Sequence, residues 1–185
     1  MAQYAASGLR WQMLTSIYIL PAMFIIYKLK IVNRFTGVFL GIWFLISASI
    51  PWVVPLFTMP TPKGDFSIGS ETFHWVDSSR LEWFTDENDN DVREIMVQAW
   101  YPSEDSNSID PNSYMDFMKL RSKTLASAGK IPAFLPSHLD MIITNTRSEV
   151  DCSKKLEKYP VLIFSHGITG SRHLHQVLFE HLAAQ

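Results

Sequence analysis

A Ser-His-Gly triplet, Ser165 to Gly167, follows a run of apolar strand formers and precedes a stretch with helical periodicity. Serine and histidine side chains are partners in nucleophilic catalysis, where a histidine takes the proton of the attacking hydroxyl. A nucleophilic serine on a strand-to-helix turn requires the pattern G-x-S-x-G, and none of the eight glycines begins it. Ser165 is therefore not expected to be a nucleophile, and the chemistry of this segment must come from another group.

The elements around the triplet are expected to be a strand, a turn and a helix. The short apolar run Val161–Phe164 is typical of a parallel strand buried on both faces. Gly167 and Gly170 fall in the turn, where a sharp reversal needs positive φ or close backbone approach. Backbone amides at such a turn point outward and can bind a developing negative charge. A helix should begin near Ser171, with one apolar face made of Leu174, Val177, Leu178 and Leu182.

The first third of the chain predicts a pair of membrane-spanning helices. The stronger span, Thr36–Phe57, has no ionisable side chain and the roughly 20 apolar residues that cross a bilayer. A shorter and more polar span, Trp11–Tyr27, precedes it, and Lys28, Lys30 and Arg34 concentrate positive charge between the two. That loop should be cytoplasmic, which places both termini outside the cytoplasm. A buried helical hairpin and a cleaved signal peptide are the weaker alternatives.

The charge distribution limits the partners of the chain. Residues 1–62 carry a net charge of +4 and residues 63–185 a net charge of −6. The acidic part has no clustered stripe of lysine and arginine, which excludes nucleic acid as the expected partner. Cys152 is the single cysteine, so there is no intrachain disulfide or cysteine-based zinc cluster. No nucleotide-binding glycine loop is present, and no cofactor is implied.

The remainder is expected to be a water-soluble domain. We predict an anchor at 1–60, a linker at 61–65 and the domain at 66–185, because prolines and the first lysine and glycine follow the apolar run. Strands are predicted at Phe66–Trp75, Ser79–Phe84 and Glu94–Tyr101, with a polar turn at Asp86–Asp91 between the last two.

Two helices are expected between these strands and the Ser-His-Gly segment. The first is predicted to begin at a capping box formed by Ser113 and Asp116, and the second to cover Ser137–Asn145. Their apolar stripes favour packing against a core. Contact with a membrane is the alternative interpretation.

Other polar residues have ordinary structural interpretations. His173 and His175 lie on different faces of the last helix, so with His181 they are not expected to bind a metal. Arg172 is expected to donate to groups near the start of that helix. Asp77 and Arg80 are expected to form a local ion pair that identifies no site.

Three stretches resemble the platelet-activating-factor acetylhydrolase-like lipases of the α/β-hydrolase superfamily, particularly their membrane-anchored bacterial members. Leu162–Arg172, LIFSHGITGSR, is similar to the family signature F-S-H-G-L-G-x-x-R, with Thr169 where the family usually has glycine. Arg93–Asp105, REIMVQAWYPSED, resembles its strand ending in W-Y-P, and Phe66–Arg80 resembles the entry strands. Arg10–Leu14, RWQML, is similar to the start of a transmembrane helix in bacterial members.

The resemblance implies an α/β fold in which a transmembrane helical hairpin precedes the first part of an α/β-hydrolase sheet domain. It assigns one oxyanion-hole donor to the backbone N–H of Ile168, with His166 and Gly167 shaping the loop. It implies a serine hydrolase of lipophilic esters or phospholipids, in a bacterial cytoplasmic membrane with residues 63–185 outside. The nucleophile, acid and catalytic histidine are expected beyond Gln185, so this chain is expected to be an inactive N-terminal fragment.

Two other function classes remain open at this point. A non-catalytic, membrane-tethered α/β-hydrolase-like binding module would have the same motifs. A small two-span membrane protein could use its soluble part to bind a partner. The strand Val161–Ser165 disfavours the latter, because a central parallel strand would then have exposed edges.

Overall fold

The computed structural model describes residues 11–84, 88, 90–104, 110–167 and 170–185 of the 185-residue chain. The chain divides into two compact units, each built from two segments. Unit 1 consists of Met1–Thr58 and Met115–Ile142, and is helical where described. Unit 2 consists of Met59–Tyr114 and Ile143–Gln185, and contains a small sheet and one helix. The chain is therefore a mixed α/β protein.

Unit 1 begins with two helices in the positions that the apolar spans predict. Helix α1 covers Trp11–Lys28 and helix α2 covers Arg34–Val53. The Oδ1 atom of Asn33 accepts the backbone N–H groups of Phe35 and Thr36 at 2.9 and 3.0 Å. The Thr36 hydroxyl accepts the Asn33 N–H at 2.9 Å, which completes a capping box and fixes the start of α2.

Helix α2 has the properties of a membrane span. Among the described helices it alone is long and apolar enough to cross a bilayer, by length and composition. Only 6% of its apolar window is buried, whereas a core helix of a soluble protein would be mostly covered. The helix ends at Val53, earlier than the predicted limit at Phe57, because Pro55 disfavours helical backbone at the residue before it. Within α1, the apolar stretch Ile17–Lys28 is shorter than a span.

The second segment of unit 1 contains helix α3 at Met118–Gly129. It begins at Phe117, whose left-handed backbone has φ of 51°, and no side chain caps it. The predicted capping box is therefore wrong: Ser113 forms an isolated β-bridge. Asp116 instead accepts the Arg121 Nε–H on its Oδ1 atom at 3.0 Å.

A 3₁₀ helix at Pro136–Met141 replaces the longer helix predicted for Ser137–Asn145. The prediction was wrong because partners distant in sequence bind the backbone beyond Met141. The carbonyl of Asn112 accepts the N–H of Thr144 at 2.9 Å, and the carbonyl of Thr146 accepts the N–H of Asn112 at 2.9 Å. These bonds require extended backbone there.

Unit 2 is built on a three-stranded sheet with the order β2-β1-β3. Strand β1, Ser67–Leu81, pairs antiparallel with β2, Val92–Ser103. The two strands predicted at 66–75 and 79–84 are thus one strand, with an irregularity between Asp77 and Leu81. The short strand β3, Thr146–Arg147, runs parallel to β1. The polar turn predicted at 86–91 lies partly outside the described residues.

Helix α4, Gln176–Ala183, closes the small core of unit 2. Ile68, Ala183 and Ala184 are buried together, and Trp100 packs against them. The buried positions of α4 are Gln176, Glu180 and Ala183. The predicted apolar face is exposed instead, at Leu174, Val177, Leu178 and Leu182. The sequence thus predicted the helix but not its buried face. The helix also begins at Gln176 rather than near Ser171.

The apolar run Val161–Phe164 is not a strand in this structure. It forms no ladder with the described strands, and Ile163 is 95% exposed. The prediction of a central buried strand is wrong for this chain, because a parallel strand needs neighbouring strands on its edges. The described sheet has the order β2-β1-β3, and the run at 161–164 pairs with none of these strands.

Candidate functional site: the Ser165–Gly170 turn

The candidate oxyanion loop is a closed turn. The Gly170 N–H donates to the Gly167 carbonyl at 2.8 Å. The same carbonyl accepts a bond from His166 Nδ1 at 2.9 Å, so the proton lies on that nitrogen. The predicted donor, Ile168, lies outside the described residues, as does Thr169. The Gly167 carbonyl therefore joins His166 and Gly170 on either side of it.

The two glycines of the turn have different constraints. A Cβ atom at Gly170 would lie 3.0 Å from the Cβ of His166 and 3.1 Å from the Gly167 oxygen. A Cβ atom at Gly167 would meet nothing within 4 Å. Close backbone approach thus requires glycine at position 170, whereas the space around Gly167 would accept a side chain.

An aromatic cluster ties the apolar run before the turn to the rest of unit 2. The Phe164 ring packs edge-on against His175 at 4.9 Å and against Phe179 at 5.2 Å between centroids. The Phe179 ring in turn lies 4.7 Å from that of Trp100 on β2. Rings at these distances stabilise one another beyond their burial. Phe164 is consequently the fixed end of the exposed run.

Arg172 holds the other end of the turn against the sheet. Its Nε–H donates to the side-chain oxygen of Gln98 on β2 at 2.9 Å. The amide nitrogen of Gln98 donates to the hydroxyl of Ser70 on β1 at 2.8 Å. Arg172 was expected to donate to backbone or carboxylate groups near the start of the helix, and this bond goes instead to an amide side chain on β2. Gln98 could not be identified from sequence, since its role depends on a contact distant in the chain.

His173 is buried, in agreement with an ordinary structural role. It is 3% exposed, and its backbone carbonyl accepts the Tyr114 hydroxyl at 3.2 Å. Burial raises the pKa of the Tyr114 hydroxyl above its usual value, because the phenolate loses solvation. Tyr114 therefore remains a neutral hydrogen-bond donor that fixes the backbone at the base of α4.

Next to the turn, α4 holds the segment that follows the apolar helix. Glu180 has no exposed surface, and its carboxyl group accepts bonds from Asn145 at 2.7 Å and Gln176 at 3.0 Å. Asn145 also donates to the carbonyl of Pro60 at 2.9 Å. We call Asn145, Glu180 and the Pro60 carbonyl the linker clamp.

Further bonds continue the attachment along the linker. The Lys63 N–H donates to Nδ1 of His181 at 3.2 Å, and the Phe66 N–H donates to the Ala184 carbonyl at 3.2 Å. The Gln185 amide donates to the Lys63 carbonyl. The sequence did not lead us to predict this attachment of the linker to α4. One signal was present, because Gln176 and Glu180 are four residues apart on one helix and so place polar groups on the same face.

Asp77 and Arg80 form the local pair predicted from the sequence, with Arg80 Nε 2.6 Å from the Asp77 carboxylate. The hydrogen bonds from Ser79 and then from Arg80 lower the pKa of Asp77 from 3.8 to about 2. The pair lies on β1, and no hydrogen bond joins it to the described residues of the Ser165–Gly170 turn. It is therefore a surface feature of the strand.

A glycine-containing turn between an apolar run and a helix is typical of loops that contribute a backbone N–H group to an oxyanion hole.

Comparison with known proteins gives one family match, and it includes the turn. The family model for platelet-activating factor acetylhydrolase, isoform II, matches residues 54–185. The match includes the sheet, the turn and α4. No curated protein and no solved structure gives a significant match. Since the family model covers most of the chain, this protein belongs to the platelet-activating factor acetylhydrolase, isoform II, family.

Proposed function

We propose that this chain is the membrane anchor and oxyanion-loop part of a serine hydrolase that cleaves lipophilic carboxylic esters, with acetylated or oxidised phospholipids as the substrate class. The observation that carries the proposal is the family match over the turn at 165–170. The closed Gly167–Gly170 hydrogen bond supports it, because an oxyanion hole needs a fixed backbone.

In the proposed reaction, a serine hydroxyl attacks the ester carbonyl while a histidine takes its proton. The carbonyl oxygen becomes an oxyanion, which the backbone N–H of Ile168 binds. The intermediate collapses, the C–O bond breaks, and the alcohol leaves with the proton from the histidine. Water, activated by the same histidine, then releases the acid and restores the serine.

The nucleophile, acid and base of this reaction would come from polypeptide outside the sequence described here. Two uncovered surfaces support this part of the proposal. The apolar run Val161–Ile163 has strand composition but is exposed and unpaired with the described strands, and the apolar face of α4 is exposed as well. Further parallel strands and helices would cover both surfaces, as layered α/β domains require.

The anchoring part of the proposal places α2 in a bilayer with residues 63–185 on the extracytoplasmic side. It is supported by the length of α2 and by the small buried share of its apolar window. Lys28, Lys30 and Arg34 would then lie on the cytoplasmic side, as positive loops usually do. An enzyme held in this way would remain close to lipophilic esters.

The test is to compare this chain with the product of its coding frame read past the codon for Gln185. We expect residues 1–185 to show no ester hydrolysis. We expect the longer product to hydrolyse p-nitrophenyl butyrate and short-chain phosphatidylcholine, and a serine-directed fluorophosphonate to abolish both activities. Hydrolysis by residues 1–185 alone would refute the proposal that the nucleophile, acid and base lie outside this sequence. A continuing frame that encodes no G-x-S-x-G would favour the binding module.

A further inference from the structure

One face of strand β2 is connected to both ends of the Ser165–Gly170 turn. Side chains two residues apart on a strand point to the same face, so Gln98 and Trp100 lie next to each other on one side of β2. Trp100 packs against the core that Ile68 forms with Ala183 and Ala184. Gln98 therefore lies on the face of the sheet that contains the core, one side-chain position beyond it.

The start of the turn is held through ring contacts. The Trp100 ring lies 4.7 Å from that of Phe179, and the Phe179 ring lies 5.2 Å from that of Phe164, the residue before Ser165. Ring packing keeps this end close to the sheet, but it is less directional than a hydrogen bond. The orientation of the backbone after Phe164 therefore needs a second point of attachment.

The end of the turn is held by a directional chain of hydrogen bonds. Arg172 Nε–H donates to the side-chain oxygen of Gln98 at 2.9 Å, and the Gln98 amide nitrogen donates to the Ser70 hydroxyl at 2.8 Å. Arginine has no acceptor atom, so the Gln98 oxygen must face it, and the bond to Ser70 holds the amide group in that orientation. Ser70 is only 2% exposed, which makes it a fixed partner. A bond from a guanidinium group is also about twice as strong as one between neutral groups.

The chain between Arg172 and the closed part of the turn is short. Only Ser171 separates Arg172 from Gly170, whose N–H donates to the Gly167 carbonyl at 2.8 Å. The Gly170 backbone also lies close to His166, because a Cβ atom at position 170 would be 3.0 Å from the His166 Cβ. A change in how Arg172 is held should therefore affect the bond that closes the turn.

We propose that Gln98 is a positioning residue for the oxyanion hole and acts through Arg172. Its side-chain oxygen holds the guanidinium group, which fixes the end of the turn, while its neighbour Trp100 fixes the start through Phe179. Gln98 does not contact the substrate. The proposal rests on the ester hydrolase function proposed above and adds a residue of β2 to the site of that reaction.

The first measurement is hydrogen exchange of the Gly170 amide in residues 1–185, held in detergent micelles. The chain has eight glycines, so labelling with [15N]glycine gives few signals, and Gly170→Ala identifies the one required. Gln98→Met keeps the length of the side chain but removes the acceptor, and it should speed exchange at Gly170 about tenfold or more. Gln98→Glu retains an acceptor for Arg172, to which the Ser70 hydroxyl can also donate, and should leave exchange within about threefold. Thr72→Val, at the cross-strand partner of Gln98, is the matched control and should change nothing.

The second measurement is hydrolysis of p-nitrophenyl butyrate by the longer product of the coding frame. A displaced oxyanion donor weakens binding of the transition state and not of the ester. Gln98→Met should therefore lower kcat about tenfold or more and change KM by less than about twofold. Gln98→Glu should restore kcat, which a general loss of packing at position 98 would not predict.

The outcomes separate this proposal from the proposed function. Unchanged exchange at Gly170 in Gln98→Met overturns the proposal. Faster exchange with an unchanged kcat also overturns it, because the bond is then only structural, but leaves the hydrolase function intact. Absence of hydrolysis by the unsubstituted longer product overturns the hydrolase function and the positioning role with it. If Gln98→Met does not fold, Gln98→Asn, which withdraws the acceptor by one methylene group, takes its place with the same expected results.

Discussion

Removing the Asn145 side chain should release the segment that follows α2 without unfolding unit 2. Asn145 donates to the Pro60 carbonyl and to the buried Glu180 carboxyl group, at 2.9 and 2.7 Å. Only the bond to the Pro60 carbonyl joins the linker, and it contributes about 1 kcal/mol net, so Asn145→Ala should weaken the attachment by about 1 kcal/mol. That change corresponds to a rise of roughly fivefold in the open fraction of the linker.

Trypsin reports this opening directly, because it cleaves after Lys63, within the attached segment. When opening and closing are faster than cleavage, the cleavage rate follows the open population. We therefore expect cleavage after Lys63 to become roughly fivefold faster in Asn145→Ala, in detergent micelles at neutral pH. Cleavage after Lys158, a site away from the clamp, is the internal reference and should change little.

A matched variant separates the clamp from general loss of stability. Asn112 is also bonded through its side chain within unit 2, to Thr146 at 3.1 Å and to Ser148 at 2.9 Å, but it does not contact the linker. Asn112→Ala should leave the ratio of cleavage after Lys63 to cleavage after Lys158 unchanged. If the ratio of cleavage after Lys63 to cleavage after Lys158 is the same in Asn145→Ala and in the unsubstituted chain, the Asn145 side chain does not hold the linker.

Two further predictions concern the turn and strand β1. Gly170→Ala should lower the free energy of unfolding by about 1–3 kcal/mol, because the new Cβ would press on His166 and the Gly167 carbonyl. Gly167→Ala should lower the free energy of unfolding by less, because its Cβ would meet nothing within 4 Å. Urea unfolding followed by circular dichroism measures both. Ser79→Ala should raise the pKa of Asp77 from about 2 toward 3.8, measured by carbon NMR of the carboxyl group. Because the folded pKa is depressed, the stability due to Asp77 is present above pH 4 and lost as pH falls toward 2. An unchanged Asp77 titration in the Ser79 variant would contradict this assignment of the main donor.

Patterns local in sequence predicted most of the elements. The apolar spans located α1 and α2, and the alternation around Ile95 to Tyr101 located β2. These signals succeed because helix and strand periodicity is determined within a few neighbouring residues.

The errors arose where contacts distant in sequence decide the structure. The buried face of α4 was predicted from its leucines, but Glu180 is the buried residue because Asn145 and Gln176 bond it. The run Val161–Phe164 has the composition of a buried strand, yet composition does not supply the neighbouring strands. The attachment of Arg172 to Gln98 likewise depends on residues far apart in the chain.

The most direct measurement of the central claim is the effect of Ile168→Pro on ester hydrolysis by the longer product of the coding frame. Proline removes the backbone N–H that is proposed to bind the oxyanion and also fixes φ at this residue, whereas Ile168→Val retains the N–H as the matched control. The account predicts a fall in kcat of roughly 100- to 1,000-fold for Ile168→Pro and a change of less than about tenfold for Ile168→Val, with both variants folded by circular dichroism. Equal activity of the two folded variants would contradict the assignment of this turn to the oxyanion hole.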